Sequence, residues 1–149
     1  MTLMRCISVI SRCATQFRND RFEGTGLSGY QYAYILNVCR NPGISQEGLA
    51  KAIYVNKSNV ARQVAKLENN GYIERRMCAT NRRITEVYPT QKAYDILPLV
   101  CQVLGDWNAY ITEGYTDEMR EHMINMLQQV MERAMNYVDG REEKDSDSE

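Results

Sequence analysis

A single histidine, His122, stands in the chain, there is no CxxC, no glycine-rich phosphate loop, and no long apolar run. Each absence excludes something. His122 with Glu118 four residues before it makes an isolated pair, short of the three or four ligands of a zinc site, so no metal is expected. Without a phosphate loop or a nucleophile in a recognised context, only a cysteine–histidine pairing would remain for catalysis, so no enzyme and no cofactor are expected. The five cysteines, Cys6, Cys13, Cys39, Cys78 and Cys101, form an odd and scattered set. That reads as reduced thiols in a cytoplasm rather than as a disulfide framework. No apolar stretch approaches the roughly 18 residues that cross a bilayer. The amino terminus carries basic residues but no apolar block with a small-residue cleavage site, so neither membrane insertion nor secretion is expected.

What is present is a charge asymmetry inside a nearly neutral chain of 149 residues. Residues 51–92 hold nine Lys and Arg against Glu68, Glu74 and Glu86, whereas residues 140–149 hold Arg141 and Lys144 against five acids. A basic middle is the footprint that a polyanion meets, though a solvated basic face would look the same by charge alone. The acidic end reads as a disordered tail.

Helical spacing of Leu3, Cys6, Ile7, Ile10, Cys13, Ala14 and Phe17 predicts an amphipathic opening helix, followed by a polar loop at 19–26. Ser28 and Gln31 have capping-box spacing at the head of a second helix, which stops at Asn41-Pro42-Gly43. Ser45 is placed to cap a short helix over 46–53, and Asn56 the next, which ends at Asn70-Gly71. Two strand-like runs, 72–77 and 84–88, flank a loop containing Arg82 and Arg83. Thr90 is placed to cap a long helix whose apolar stripe is Ala93, Ile96, Leu97, Val100, Leu104, Trp107 and Ile111, continuing in phase past Pro98. Thr116 opens a last helix rich in methionine.

Helix, tight turn, helix and basic-tipped hairpin together read as mainly α with a small β wing: a winged helix-turn-helix. On the helix after Asn56, Val60, Val64 and Leu67 share one side, while Ser58, Asn59, Ala61, Arg62, Ala65 and Lys66 share the other. A major groove about 12 Å wide admits such a helix when its outward side chains are short. Double-stranded DNA is therefore the expected partner, contacted through Ser45, Gln46, Asn56, Lys57, Ser58, Asn59, Ala61, Arg62, Gln63, Lys66, Arg82 and Arg83. Asn56 also caps a helix end with free amides for a phosphate, and Arg82 and Arg83 can reach a minor groove.

At LSGYQYAYIL, ISQEGLAKAI, NKSNVARQVAKLENNGYIERR and NRRITEVYPTQKA the sequence resembles the MarR (multiple antibiotic resistance regulator) family of transcription factors. The resemblance implies a recognition helix at Lys57–Asn69, a wing at Tyr72–Tyr88, and an intertwined homodimer made by the first and last helices. Two positions depart from the family pattern. Asn81 stands where an aspartate usually braces a wing arginine, and Tyr54 stands where many helix-turn-helix sequences place glycine.

The expected division is a winged domain at 27–90, dimerisation helices at 1–26 and 91–139, and the tail at 140–149. Apart from the resemblance, the terminal helices carry more apolar surface than one small domain covers, which favours a homodimer on a near-palindromic operator. The family implies repression by default, relieved by an effector. A small aromatic or phenolic ligand would need a pocket such as Phe17, Tyr30, Tyr34, Trp107 and Tyr110 could line, although these residues equally suit a core. Two alternatives stay open. One is a thiol-oxidation-responsive regulator acting through Cys6 and Cys13, and the other is a winged-helix module that binds protein instead of DNA.

Overall fold

The computed structural model describes the backbone of residues 1–146; the last three residues and the side chains beyond Gly140 lie outside the described residues. The stretch 140–149, expected as a disordered tail, has a helical backbone as far as Ser146, and its last three residues lie outside the described ones. The elements are α1 (Leu3–Arg21), α2 (Tyr32–Arg40), β1 (Ile44–Ser45), α3 (Gln46–Ile53), α4 (Lys57–Asn69), β2 (Ile73–Met77), β3 (Thr85–Pro89), α5 (Gln91–Ile111) and α6 (Asp117–Ser146). Residues 1–108 and 109–149 form two compact units.

In the first unit, α2, α3 and α4 pack with the sheet around one apolar centre. Ile35, Val38, Leu49, Val60, Val64, Leu67, Val87, Ala93 and Val100 are all wholly buried. Each larger aliphatic side chain so removed from water contributes about 1.5–3 kcal/mol. The helical stripe Val60, Val64 and Leu67 thus fastens one side of α4 to the core and leaves the opposite side outward. Two caps start the central helices where the sequence places them. Ser45 Oγ accepts from the Gly48 amide at 2.9 Å, and Asn56 Oδ1 accepts from the Asn59 amide at 2.7 Å. Caps of this kind stabilise a helix by about 1 kcal/mol each. Gly71, at φ +76°, turns the chain from α4 into β2.

The sheet is antiparallel with strand order β1-β3-β2, and Val87 lies between Ile44 and Arg75. β1 is an addition to the sequence reading: its two residues carry too little pattern to announce a strand, and its partner lies some forty positions away.

Two expected caps are corrected. Gln31 Oε1 does accept from the Ser28 amide at 2.9 Å, but Ser28 Oγ is buried with no partner among the described residues and the helix begins only at Tyr32. The reason is a tether to α1. The Gly29 amide donates to Asn19 Oδ1 at 2.6 Å, and the Gly29 carbonyl accepts from the Arg18 guanidinium, so residues 28–31 form a turn held against α1 instead of a first helical turn. A β-carbon at Gly29 would meet the Thr15 carbonyl oxygen at 2.3 Å, so only glycine fits. Thr90, likewise, turns its hydroxyl away from α5, towards the Gly71 and Tyr72 carbonyls at 2.6 and 3.0 Å. α5 runs through Pro98 as its phase predicts, with Val103 buried beside the expected stripe and Ile111 exposed.

The second unit contains α6, which opens with Thr116 Oγ1 accepting from the Met119 amide at 3.2 Å. None of its described residues is buried; Met119, Ile124, Met126, Leu127, Val130 and Met131 are all exposed. Among the described residues no helix is long and apolar enough to cross a membrane.

Candidate nucleic-acid interface

α4 follows α3 through a turn at Tyr54, which adopts φ 57°, ψ 48° and is the one non-glycine residue of positive φ among those described. The left-handed conformation that glycine would take freely is forced here on a tyrosine, at roughly 1–2 kcal/mol. The departure from glycine noted in the sequence therefore carries backbone strain at this turn.

The outward side of α4 is graded. Ser58 is exposed and Ala61 half-buried, both short, while Arg62 and Lys66 extend into solvent. Lys57 forms an exposed ion pair with Glu47 at 3.4 Å, an interaction of small energy. Ser45 and Gln46, at the head of α3, are half-buried, and Gln46 Oε1 is enclosed with no partner among the described residues. Asn56 is exposed beside the α4 amides, its carboxamide occupied by the Asn59 amide and the Ser58 hydroxyl.

Gln63 is the correction among the residues placed here by sequence. It is 4% exposed and points inward, accepting from Gln31 Nε2 at 3.0 Å and donating to the Tyr30 hydroxyl at 3.2 Å. A buried carboxamide needs such partners, and both come from the turn and first residues before α2. Gln63 therefore supports the outward face and is not part of it. A second polar link runs from the buried Tyr34, whose hydroxyl donates to Asn59 Oδ1 at 3.1 Å. Burial is the main cause that pushes the Tyr34 hydroxyl above its ordinary pKa, with Tyr30 adding and Arg62 opposing, so it remains a proton donor.

The wing is fastened to α4 by Glu68, which takes the Arg75 guanidinium at 2.6–2.8 Å and the Arg75 amide at 3.1 Å. These hydrogen bonds, side chain first and backbone second, hold the Glu68 carboxyl below the usual carboxylate range. Arg76 pairs with Glu74 at 2.9 Å and lies over the Tyr88 ring at 4.4 Å. Lys92 donates to the Asn70 carbonyl at 2.7 Å and covers Tyr72. Four of the nine basic residues of the middle region thus have internal partners. Arg62, Lys66, Arg82 and Arg83 form no ion pair among the described residues, and all four are exposed. At the wing tip Asn81 Oδ1 accepts from the Arg83 amide at 3.1 Å, so it shapes the loop backbone and braces neither guanidinium.

The five aromatic residues expected to share a pocket are not gathered. Phe17 and Trp107 pair with ring centroids 5.2 Å apart, Tyr30 and Tyr34 are engaged by α4, and Tyr110 is 69% exposed. A shallow cleft of about 530 Å³ does lie beside the end of α4, lined by Leu27, Ser28, Tyr30, Lys66 and Asn70 among others. Only Tyr30 of the five reaches it. On α1, Cys13 is exposed and Cys6 half-buried, whereas burial raises the Cys39 thiol.

A helix pair joined by a tight turn, with a three-stranded wing behind the second helix, is a winged helix-turn-helix. The MarR family model matches residues 25–84. The uncharacterized HTH-type transcriptional regulator YybA of Bacillus subtilis is 32% identical over 139 residues, covering 91% of this chain and 93% of that protein. Among solved structures, the transcriptional regulator SlyA superposes with a TM-score of 0.87 at 28% identity, over 91% of this chain and 96% of that one. A Listeria monocytogenes protein assigned to the MarR family and crystallised with a 26mer DNA superposes with a TM-score of 0.84 at 26% identity, over 91% of both chains. The chain belongs to the MarR family of transcriptional regulators.

Proposed function

We propose that this chain is a DNA-binding transcriptional regulator that acts as a homodimer, with no catalytic role. The observation that carries the reading is the outward side of α4 together with the wing tip: Arg62, Lys66, Arg82 and Arg83 are exposed and form no ion pair among the described residues, and α4 adds the short side chains of Ser58 and Ala61. An ordinary solvated helix would carry balancing acids on that face. A protein-docking surface would present apolar anchors there. The Listeria relative solved with DNA supports the same use of the shared fold.

In this reading residues 27–90 contact DNA while 1–26 and 91–139 dimerise. The apolar side chains exposed on α1 (Leu3, Met4, Val9, Ile10) and on α6 form the contact between copies. Two recognition helices related by a twofold axis read a near-palindromic operator with half-sites about 34 Å apart. Repression relieved by a small aromatic ligand is the mode of control carried over from the family. The test is retention of random genomic duplex by the purified chain, followed by elution with salt, phenolic compounds or peroxide. Retention that tracks salt supports the assignment, and failure to hold duplex even at low ionic strength refutes it.

A further inference from the structure

On the basis of that DNA-binding reading, we infer that Tyr34 sets the base specificity of Asn59 by fixing which end of its carboxamide faces the groove. Asn59 is the third residue of α4, near the amino-terminal end from which recognition helices address base edges. Its Oδ1 is turned inward to accept the Tyr34 hydroxyl at 3.1 Å, while among the described residues its Nδ2 has no partner and the side chain is half-exposed. The opposite orientation is disfavoured by Tyr34. The tyrosine is 2% exposed and has no other acceptor among the described residues. Turning the amide nitrogen inward would leave a buried hydroxyl hydrogen unpaired. The platform is also held against rotation, since Gln31 and Tyr30 grip Gln63 one helical turn further along.

The consequence is chemical. A free asparagine reads adenine by donating to N7 while accepting from N6, which requires both ends of the amide at the base edge. With the oxygen turned away, Asn59 offers hydrogen-bond donors alone. The matching edge is one of acceptors alone, guanine with N7 and O6, and a base presenting an amino group is rejected. Asn59 is thereby a guanine reader and Tyr34 its positioning residue.

The experiment is a selection by the full-length chain from a duplex library randomised across the binding site, scored as relative affinity for the four bases at each position. Asn59→Ala identifies the base pair that Asn59 faces, as the position where preference disappears. There the unaltered chain should favour guanine over adenine by about tenfold. Tyr34→Phe, which keeps the buried ring and removes the hydroxyl, should cut this ratio to under about threefold by admitting adenine. Asn59→Asp retains the acceptor for Tyr34 but presents no donor, and should move the preference to cytosine, whose N4 amino group it can accept. This second variant decides the matter if Tyr34→Phe proves poorly folded. Unchanged base preference in Tyr34→Phe, or guanine still favoured by Asn59→Asp, overturns the inference while leaving DNA binding intact. A chain that retains no duplex at all removes the underlying reading and the inference with it.

Discussion

The winged region and α6 stabilise themselves in different ways. Residues between Phe22 and Val103 enclose a continuous apolar centre, whereas the described part of α6 buries nothing despite its row of methionine and leucine. A helix none of whose described side chains is buried has little beyond its own hydrogen bonds to maintain it. The winged region carries its stability internally and can offer a polar face outward. The apolar side chains of α6 are exposed, and the proposed homodimer would cover them with a second copy of the chain. One chain thus carries two exposed surfaces of opposite chemistry, one basic with short side chains, the other apolar.

The sharpest probe of the internal core is Leu67→Ala, which should lower unfolding free energy by about 2–5 kcal/mol in denaturant titration. A loss below 1 kcal/mol would mean that α4 is not anchored as described. The matching probe of α6 is Leu127→Glu with Met131→Glu, expected to turn a dimer into a monomer in sedimentation while leaving the winged region folded. Because two linked recognition helices bind far more tightly than one, operator affinity should fall by about a hundredfold. A dimer that survives both charges would place the contact elsewhere. Arg82→Ala with Arg83→Ala should flatten the dependence of log affinity on log salt by about one unit for each lost phosphate contact. An unchanged slope would detach the wing from DNA.

Smaller effects refine the joints of the winged region. Glu68 has its folded pKa depressed by Arg75, so the link stabilises above the ordinary carboxylate range and is lost as pH falls through the lowered value. Both side chains are about a third exposed, at 34% and 38%, so Glu68→Gln should cost under about 1 kcal/mol at neutral pH and nothing once the wild-type carboxyl is protonated. Tyr54→Gly should raise stability by about 0.5 kcal/mol, the relief of left-handed strain less the extra freedom glycine gives the unfolded chain. Thermal melting at two pH values distinguishes the two: the Glu68 effect moves with pH and the Tyr54 effect does not.

Local chemistry was readable in advance and distant partnership was not. Ser45 and Asn56 cap helices that begin one residue later, so three or four neighbouring residues determine the outcome. Tyr54 could be flagged because the turn it occupies restricts φ whatever lies nearby. Gln63, expected from the sequence among the DNA contacts, turns inward, where Gln31, thirty-two positions earlier, satisfies its polar side chain. Its place on the helix, next to Val64 and three residues after Val60, was the available signal. Ser28 was misread for the same reason, since Arg18 and Asn19 on another helix claim the backbone of Gly29. The basic excess of residues 51–92 could not separate Arg75, Arg76 and Lys92, which have partners within the fold, from Arg62, Lys66, Arg82 and Arg83, which form no ion pair among the described residues.

The fit of Gly29 against Thr15 makes α1 and the chain entering α2 one mechanical piece, with no slack for a methyl group between them. Two residues on, Gln31 grips Gln63 of α4. The amino-terminal helix is thus joined to α4 by two short steps, the close fit at Gly29 and the Gln31–Gln63 hydrogen bond, rather than through the apolar centre alone.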